Sequence, residues 1–297
     1  MKSNRSQLLS GDTALVFGCG HCRPDETHSD FDRFYAIGKM ALDYRVDAVL
    51  CTGDLTDYPG ARSWNSPKRQ ERKRVLKDRQ AGIEAAKAVM SAYRQQKRKH
   101  QRQGHPERVW EPFWGIAAGN HDDSEDELVE QDPKLEGIVG SEILYEAWRE
   151  LGWSVHSFKR QLLDLEYPEF KGAFYGHYYP SGPMGRATAI SSVLNKAHGS
   201  LIFSHTHKLG FDMQRTIGGR FIQAVNIGTL QPPERLKPGE WNGAVLLSEM
   251  DRGQFQVHQI SYDAILREYG EGDYAQRLRT ARAQAVRDRR DAAEAFM

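Results

Sequence analysis

Short runs of consecutive apolar residues recur along the chain, at Ala14–Phe17, Ala48–Thr52, Phe113–Ala118, Leu201–Ser204, Phe221–Asn226, Ala244–Leu247 and Phe255–Ile260. Runs of this length predict buried strands. Between the early ones lie stretches with apolar residues at helical spacing, of which Phe31–Tyr44 is the clearest. Strand and helix alternate early and strands crowd together late, which predicts an α/β fold with mixed sheets. Pro67–Gln103 reads as one or two helices, Glu125–Gly140 as an acidic and then loop-like stretch, and Tyr274–Met297 as a terminal surface helix rich in Ala and Arg. No internal repeat or low-complexity linker interrupts the 297 residues, so the simplest organisation is one domain, 1–297, carrying a basic helical insertion at about 66–108.

Composition changes this picture little. The 41 Lys and Arg balance 40 Asp and Glu, so net charge points to no partner. No apolar run approaches the roughly 18–20 residues of a membrane span. Met1–Ser10 carries basic residues without the apolar stretch of a signal peptide. Cys19, Cys22 and Cys51 are too few for a disulfide framework. Reduced thiols in the cytoplasm are the expectation.

The chemistry sits in five short motifs, each expected at a strand end: Cys19-Gly20-His21, Gly53-Asp54-Leu55-Thr56-Asp57, Gly119-Asn120-His121-Asp122, Gly176-His177 and Ser204-His205-Thr206-His207. In an extended segment, residues two apart point to the same side, which lets Cys19 and His21, and likewise His205 and His207, converge. Taken singly, a Gly-Asp after a strand is more often a turn, and a histidine pair is an even-handed signal. Polar side chains such as Asn120 and His121 at a strand end are costly without partners. Imidazole, carboxylate, amide oxygen and thiolate together make a workable ligand set for a pair of divalent metals.

With these motifs in this order, the chain resembles the calcineurin-like metallophosphoesterases, whose pattern is Asp-x-His, Gly-Asp-x-x-Asp, Gly-Asn-His-Asp/Glu, a lone His and Gly-His-x-His. The match spans Cys19 to His207, about two-thirds of the chain. The resemblance implies a four-layer α/β/β/α sandwich of two mixed sheets with metals above the strand ends. It implies one metal on Cys19, His21, Asp54 and His207, and a second on Asp54, Asn120, His177 and His205, with Asp54 bridging. It also implies His121 as proton donor to the leaving oxygen, oriented by Asp57. The expected activity is hydrolysis of a phosphodiester, in nucleic acid or a nucleotide-like substrate, by a metal-bound hydroxide. A phosphomonoesterase acting on a small molecule or phosphoprotein is the alternative. Tyr58-Pro59-Gly60 after Asp57 departs from the arginine of the protein Ser/Thr phosphatases. Cys19 replaces the usual aspartate and resembles the lariat-debranching branch. A thiolate shifts preference toward zinc or iron at that position, with manganese suited to the other. Ser204 replaces a glycine, small for small.

Other readings compete for some of these residues. Cys19 and Cys22 form a CxxC spacing that redox or structural zinc sites also use, but Cys51 is the only further cysteine. Of eleven histidines, His28, His100, His105, His156, His198 and His258 lie outside the motifs and read as surface or core residues, with His28 close enough to the first motif to reach a substrate. Lys68–Arg108 holds fourteen Lys or Arg against four acids, with Trp64, Tyr93 and Trp110 in or beside it. That composition suits either a solvated helix face or a nucleic-acid backbone with stacked bases. Asp122–Glu127 would repel a polyanion unless it points elsewhere. Asn226-Ile227-Gly228-Thr229 resembles the family's late loop near the site.

Overall fold

All seven apolar runs form strands. They are β1 (Ala14–Phe17), β2 (Ala48–Cys51), β3 (Phe113–Ala117), β7 (Ser200–Phe203), β9 (Phe221–Ile227), β10 (Gly243–Asp251) and β11 (Gln254–Ser261). The structure, a computed structural model, describes residues 11–61, 73–159, 166–181 and 189–294. Four strands have no such run: β4 (Ser154–His156), β5 (Glu169–Phe170), β6 (Ala173–Tyr175) and β8 (Leu209–Arg215). The first three are too short to show a period, and β8 is an edge strand whose face is half exposed.

The strands form two mixed sheets, ordered β11-β10-β1-β2-β3-β4 and β5-β6-β7-β9-β8. In the first, β1 to β4 run parallel and β10 and β11 close one edge antiparallel. In the second, β6, β7 and β9 run parallel, flanked by antiparallel β5 and β8. Alternation along β1 shows how the layers form. Ala14 and Val16 join Ala48, Leu50, Tyr175, Ile202 and Val225 in a core between the sheets. Leu15 and Phe17 point the other way, into a core shared with helices. Both faces of β1 are apolar because both are buried.

Eight helices occur among the described residues. Those packed on the first sheet include α1 (His28–Tyr44), α2 (Val75–Val89), α5 (Ser141–Glu150) and α7 (Tyr262–Tyr269), while α6 (Ile190–Ala197) covers the second. A capping box between Thr27 and Asp30 starts α1, and Arg45 in the left-handed region ends it. Phe34, Ile37, Met40 and Ala41 give α1 its buried stripe. The C-terminal helix α8 (Asp273–Glu294) is exposed along most of its length, and Arg282 pairs with Glu268, in keeping with a solvated face. Residues 295–297, at its expected end, lie outside the described residues.

The acidic start of Glu125–Gly140 belongs to helix α4 (Ser124–Gln131). This acidic run is not all turned to solvent. Glu125 is fully buried against Arg79 and Tyr58, and Asp122 is fully buried as well. The basic segment is described from Lys73 onward. Lys68, Arg69, Arg72 and Trp64 lie outside the described residues. The remainder forms α2 and a second helix, α3 (Ser91–Arg102), broken at Met90. The Gln96 carboxamide accepts from the Trp110 backbone N–H, and the Trp110 indole donates to Val46 O. Val46 and Trp110 precede β2 and β3, so α3 lies at the N-terminal ends of the parallel strands, whereas the motifs follow their C-terminal ends. Trp110 is buried and Tyr93 packs against it and Trp114, so neither is a stacking platform for bases. Lys97 pairs with Glu111. Changing Arg98, Lys99 and Arg102 to glutamine is therefore expected to leave ligand binding at the motif residues unchanged. A titration that showed weakened binding there would place α3 nearer the motifs than its position allows.

No helix among the described residues is long and apolar enough to cross a membrane. All three cysteines are buried and free.

Candidate metal centre

The loops that follow β1 and β2 run side by side. Cys19, His21 and Cys22 donate their backbone N–H groups to Gly53, Asp54 and Leu55. The loop after β3 joins them through Asp122, whose carboxylate accepts N–H bonds from Gly119 and Thr56 at 2.9 Å each. Burial and the nearby Asp54 push the Asp122 carboxyl up to about 6 against those two bonds. The approach of the loops is close enough to require glycine. A Cβ on Gly119 would lie 2.1 Å from Asp54 Oδ1 and 2.5 Å from Asp54 N, and Gly53 has φ +90°.

All nine candidate residues come together here. His21 Nε2 lies 3.1 Å from His207 Nε2. His177 Nε2 lies 2.8 Å from His205 Nδ1, 3.0 Å from Asn120 Oδ1 and 3.1 Å from Asp54 Oδ2. Asp54 Oδ2 is also 3.7 Å from His21 Nε2 and 3.9 Å from His121 Nε2. Cys19 Sγ accepts the His205 backbone N–H at 3.3 Å, and it groups with His21 and His207 and also with Asp54 and His177. Asp57 reaches His21 Nδ1 at 3.3 Å and His121 Nδ1 at 3.5 Å, and Arg23 bonds its other oxygen.

The convergence does not arise from extended backbone, as the spacing suggests. Cys19, His21, Asp54, His205 and His207 all have φ between 43° and 67°. Left-handed backbone at five non-glycine residues in one cluster is strain of the kind that collects at functional sites.

Hydrogen-bond bookkeeping shows what the cluster lacks. His21 Nδ1 lies 3.3 Å from Asp57 Oδ1, and His207 Nδ1 lies 3.1 Å from Glu240 Oε1 and 3.4 Å from the Gln231 carboxamide nitrogen; the two carboxylates favour the tautomer with the proton on Nδ1 of each ring. The two Nε2 atoms, 3.1 Å apart, then present lone pairs to each other. His177 Nδ1 faces the Thr52 carbonyl at 3.0 Å and its Nε2 stands among Asp54, Asn120 and His205; burial works against a proton on this ring, but the Asp54 carboxylate outweighs it and raises the imidazole above its ordinary range. Burial lowers His21 and His205 to about 4 and lowers His207 as well, so a second proton is disfavoured on each of these three rings. Burial alone would raise Asp54, but His177 and His121 outweigh it and hold the carboxyl well below its usual range. Burial, reinforced by Asp54, pushes the Cys19 thiol well up. A bound cation would give the unprotonated ring nitrogens of His21, His205 and His207 a partner beside Asp54. Two nitrogens bound at about 2.0–2.1 Å to one tetrahedral or octahedral ion lie about 2.8–3.4 Å apart, a range that spans the ring-nitrogen spacings found here. These buried His, Asp and Cys groups can bind a metal ion.

A cavity of about 540 Å³ opens over the cluster, lined by His21, His121 and His207 and by the cations Arg23, Arg235 and Lys237. Sequence patterns alone do not find Arg23, Arg235 or Glu240, which arrive on segments without a motif. The Asn226–Thr229 loop does not open into this space. Thr229 donates to Cys19 O at 2.7 Å, and Asn226 donates to Thr206, so the loop braces the first and last motifs. Ser204 is accommodated by hydrogen bonds to Thr52. Cys22 and Cys51 pack in the core with burial raising both thiols. The side chain of His28 lies outside the described residues.

Compared with protein-family models the chain matches none, and no curated protein matches it either.

Proposed function

We propose that this protein is a metal-dependent phosphoric ester hydrolase of the calcineurin-like metallophosphoesterase kind, cleaving a phosphodiester in nucleic acid or a nucleotide-like substrate. One observation carries the reading: two sets of ligand-type atoms, one around His21 and His207 and one around His177, converge on the same Asp54 oxygen. Cys19, His21, Asp54 and His207 would hold one divalent ion, and Asp54, Asn120, His177 and His205 a second. The helix, sheet, sheet, helix order of packing fits the four-layer sandwich of that family. When bound, such ions polarise phosphoryl oxygens and lower the pKa of water toward neutrality.

The chain's own groups supply the rest. His121 Nδ1 donates to the Asp57 carbonyl at 2.9 Å, which fixes the ring and turns Nε2 toward Asp54 and the cavity. Protonated on both nitrogens, His121 would give its Nε2 proton to the departing oxygen. Arg23 and Arg235 are tethered by Asp57 and by Glu26 with His21 O, so their guanidinium planes are fixed at the cavity. They and Lys237 would meet the negative charge of the diester and its flanking groups.

Reconstitution with zinc, ferrous iron or manganese, followed by assay on bis-para-nitrophenyl phosphate, para-nitrophenyl phosphate and single-stranded, duplex and branched nucleic acid, tests the reading. Diester cleavage is expected; turnover of the monoester alone would favour a phosphomonoesterase, and no turnover with metal bound would overturn hydrolysis altogether.

Cys19 makes a more particular expectation. A thiolate ligand favours zinc or iron, and Cys19→Asp should shift preference toward manganese while keeping some activity. Cys19→Ser should cost more, because a neutral hydroxyl is a poor ligand. Cys19 is wholly buried, so alkylation is a weak probe of ligation. Metal competition between zinc and manganese in the three proteins is the better check, and an unchanged preference would remove Cys19 from the ligand set.

A further inference from the structure

The two halves of the cluster are backed differently. Behind His207, Glu240 Oε1 stands 3.1 Å from Nδ1. The loop that carries it, between β9 and β10, is pinned to the site at several points. Leu230 N–H donates to Gly18 O and Arg235 donates to His21 O. One residue beyond Glu240, Trp241 N–H donates to His207 O at 2.9 Å. Within the loop, the Lys237 backbone N–H donates to Glu240 Oε2 at 2.9 Å, and Glu240 N–H returns to Lys237 O. One carboxylate oxygen is thus occupied by backbone, and the other is aimed at the imidazole. Behind His21 stands a second carboxylate, Asp57. Behind His177 Nδ1 stands the neutral Thr52 carbonyl, and its neighbour Asn120 offers a neutral amide.

A carboxylate behind a ligating imidazole fixes its tautomer, locks its orientation and makes its other nitrogen a stronger donor. The Cys19 side therefore combines a thiolate, the shared Asp54 and two carboxylate-backed imidazoles, whereas the His177 side has Asp54 as its one anionic ligand. Resting on the metal-centre reading above, we propose that Glu240 is a positioning residue for His207 and that, through it and Asp57, the Cys19 side is the tighter of two metal positions, filled first and emptied last.

Full-length protein loaded with cobalt(II) tests this by stepwise removal with a competing chelator, followed by absorption. Thiolate ligation gives a sulfur-to-cobalt charge-transfer band that marks the Cys19 side. In the wild type, the first equivalent removed is expected to leave that band intact, and the second to abolish it. Glu240→Gln is expected to weaken the band-carrying equivalent roughly 10- to 100-fold, the usual effect of losing such a partner, with the other equivalent unchanged. Glu240→Asp should recover part of the loss. Loss of the band with the first equivalent, or equal retention of both, overturns the proposal from the wild type alone, whatever the folding of the variants. An unchanged band-carrying affinity in a folded Glu240→Gln protein overturns the role of Glu240. Failure of the wild type to bind any cobalt would instead overturn the metal-centre reading itself.

Discussion

Replacing Asp54 by asparagine is expected to abolish turnover and strip metal from the protein. One carboxylate oxygen stands within 3.1 to 3.9 Å of ring nitrogens of His177, His21 and His121. The other accepts the His121 backbone N–H at 2.9 Å. An asparagine can preserve that second contact, so the loops should keep their course. It cannot supply negative charge to both halves of the cluster, and its amide N–H, if turned inward, adds a donor where ligands must be acceptors. A loss on the order of 1000-fold in kcat is expected, since charge stabilisation at the reacting phosphate fails together with binding. Metal analysis beside circular dichroism and a kinetic assay checks it. Near-wild-type activity with full metal content would remove Asp54 as the shared ligand.

His121→Ala is expected to separate chemistry from binding. The ring is held by Asp57 and reaches the cavity, yet its Nε2 is the most distant of the three from Asp54. Metal content should persist while kcat falls roughly 100-fold or more, the range for a lost general acid. The leaving group gives the finer reading: a diester with a very acidic leaving group needs no proton and should suffer less. Metal loss in this variant would instead make His121 a ligand.

How much of this was legible in the sequence depends on the range of the contacts. The apolar runs are legible because β1, β2 and β3 are buried on both faces, which leaves continuous rather than alternating hydrophobicity. The motif residues are legible because polar groups at the ends of such strands need partners. The backbone that brings them together is not, since φ values near +50° at Cys19, His21 and Asp54 follow from loop-to-loop hydrogen bonds and not from residue type. Glu240 is hidden for a related reason: it meets His207 across 33 positions on a loop without regular spacing. The burial of Glu125 is not legible either, because its partners Arg79 and Tyr58 are remote in sequence. Nor is the burial of Trp110, whose basic neighbours suit nucleic acid while the ring itself fills the core.

The central claim is that the ligand-type atoms converging on Asp54 hold metal and that hydrolysis depends on it. Metal analysis of the reconstituted, gel-filtered protein, paired with its bis-para-nitrophenyl phosphate activity before chelation, after chelation and after metal is restored, tests this most directly. Two ions per chain are expected, with activity lost on their removal and regained on their return. A protein that retains no metal, or one that cleaves the diester equally well after complete chelation, would contradict the account.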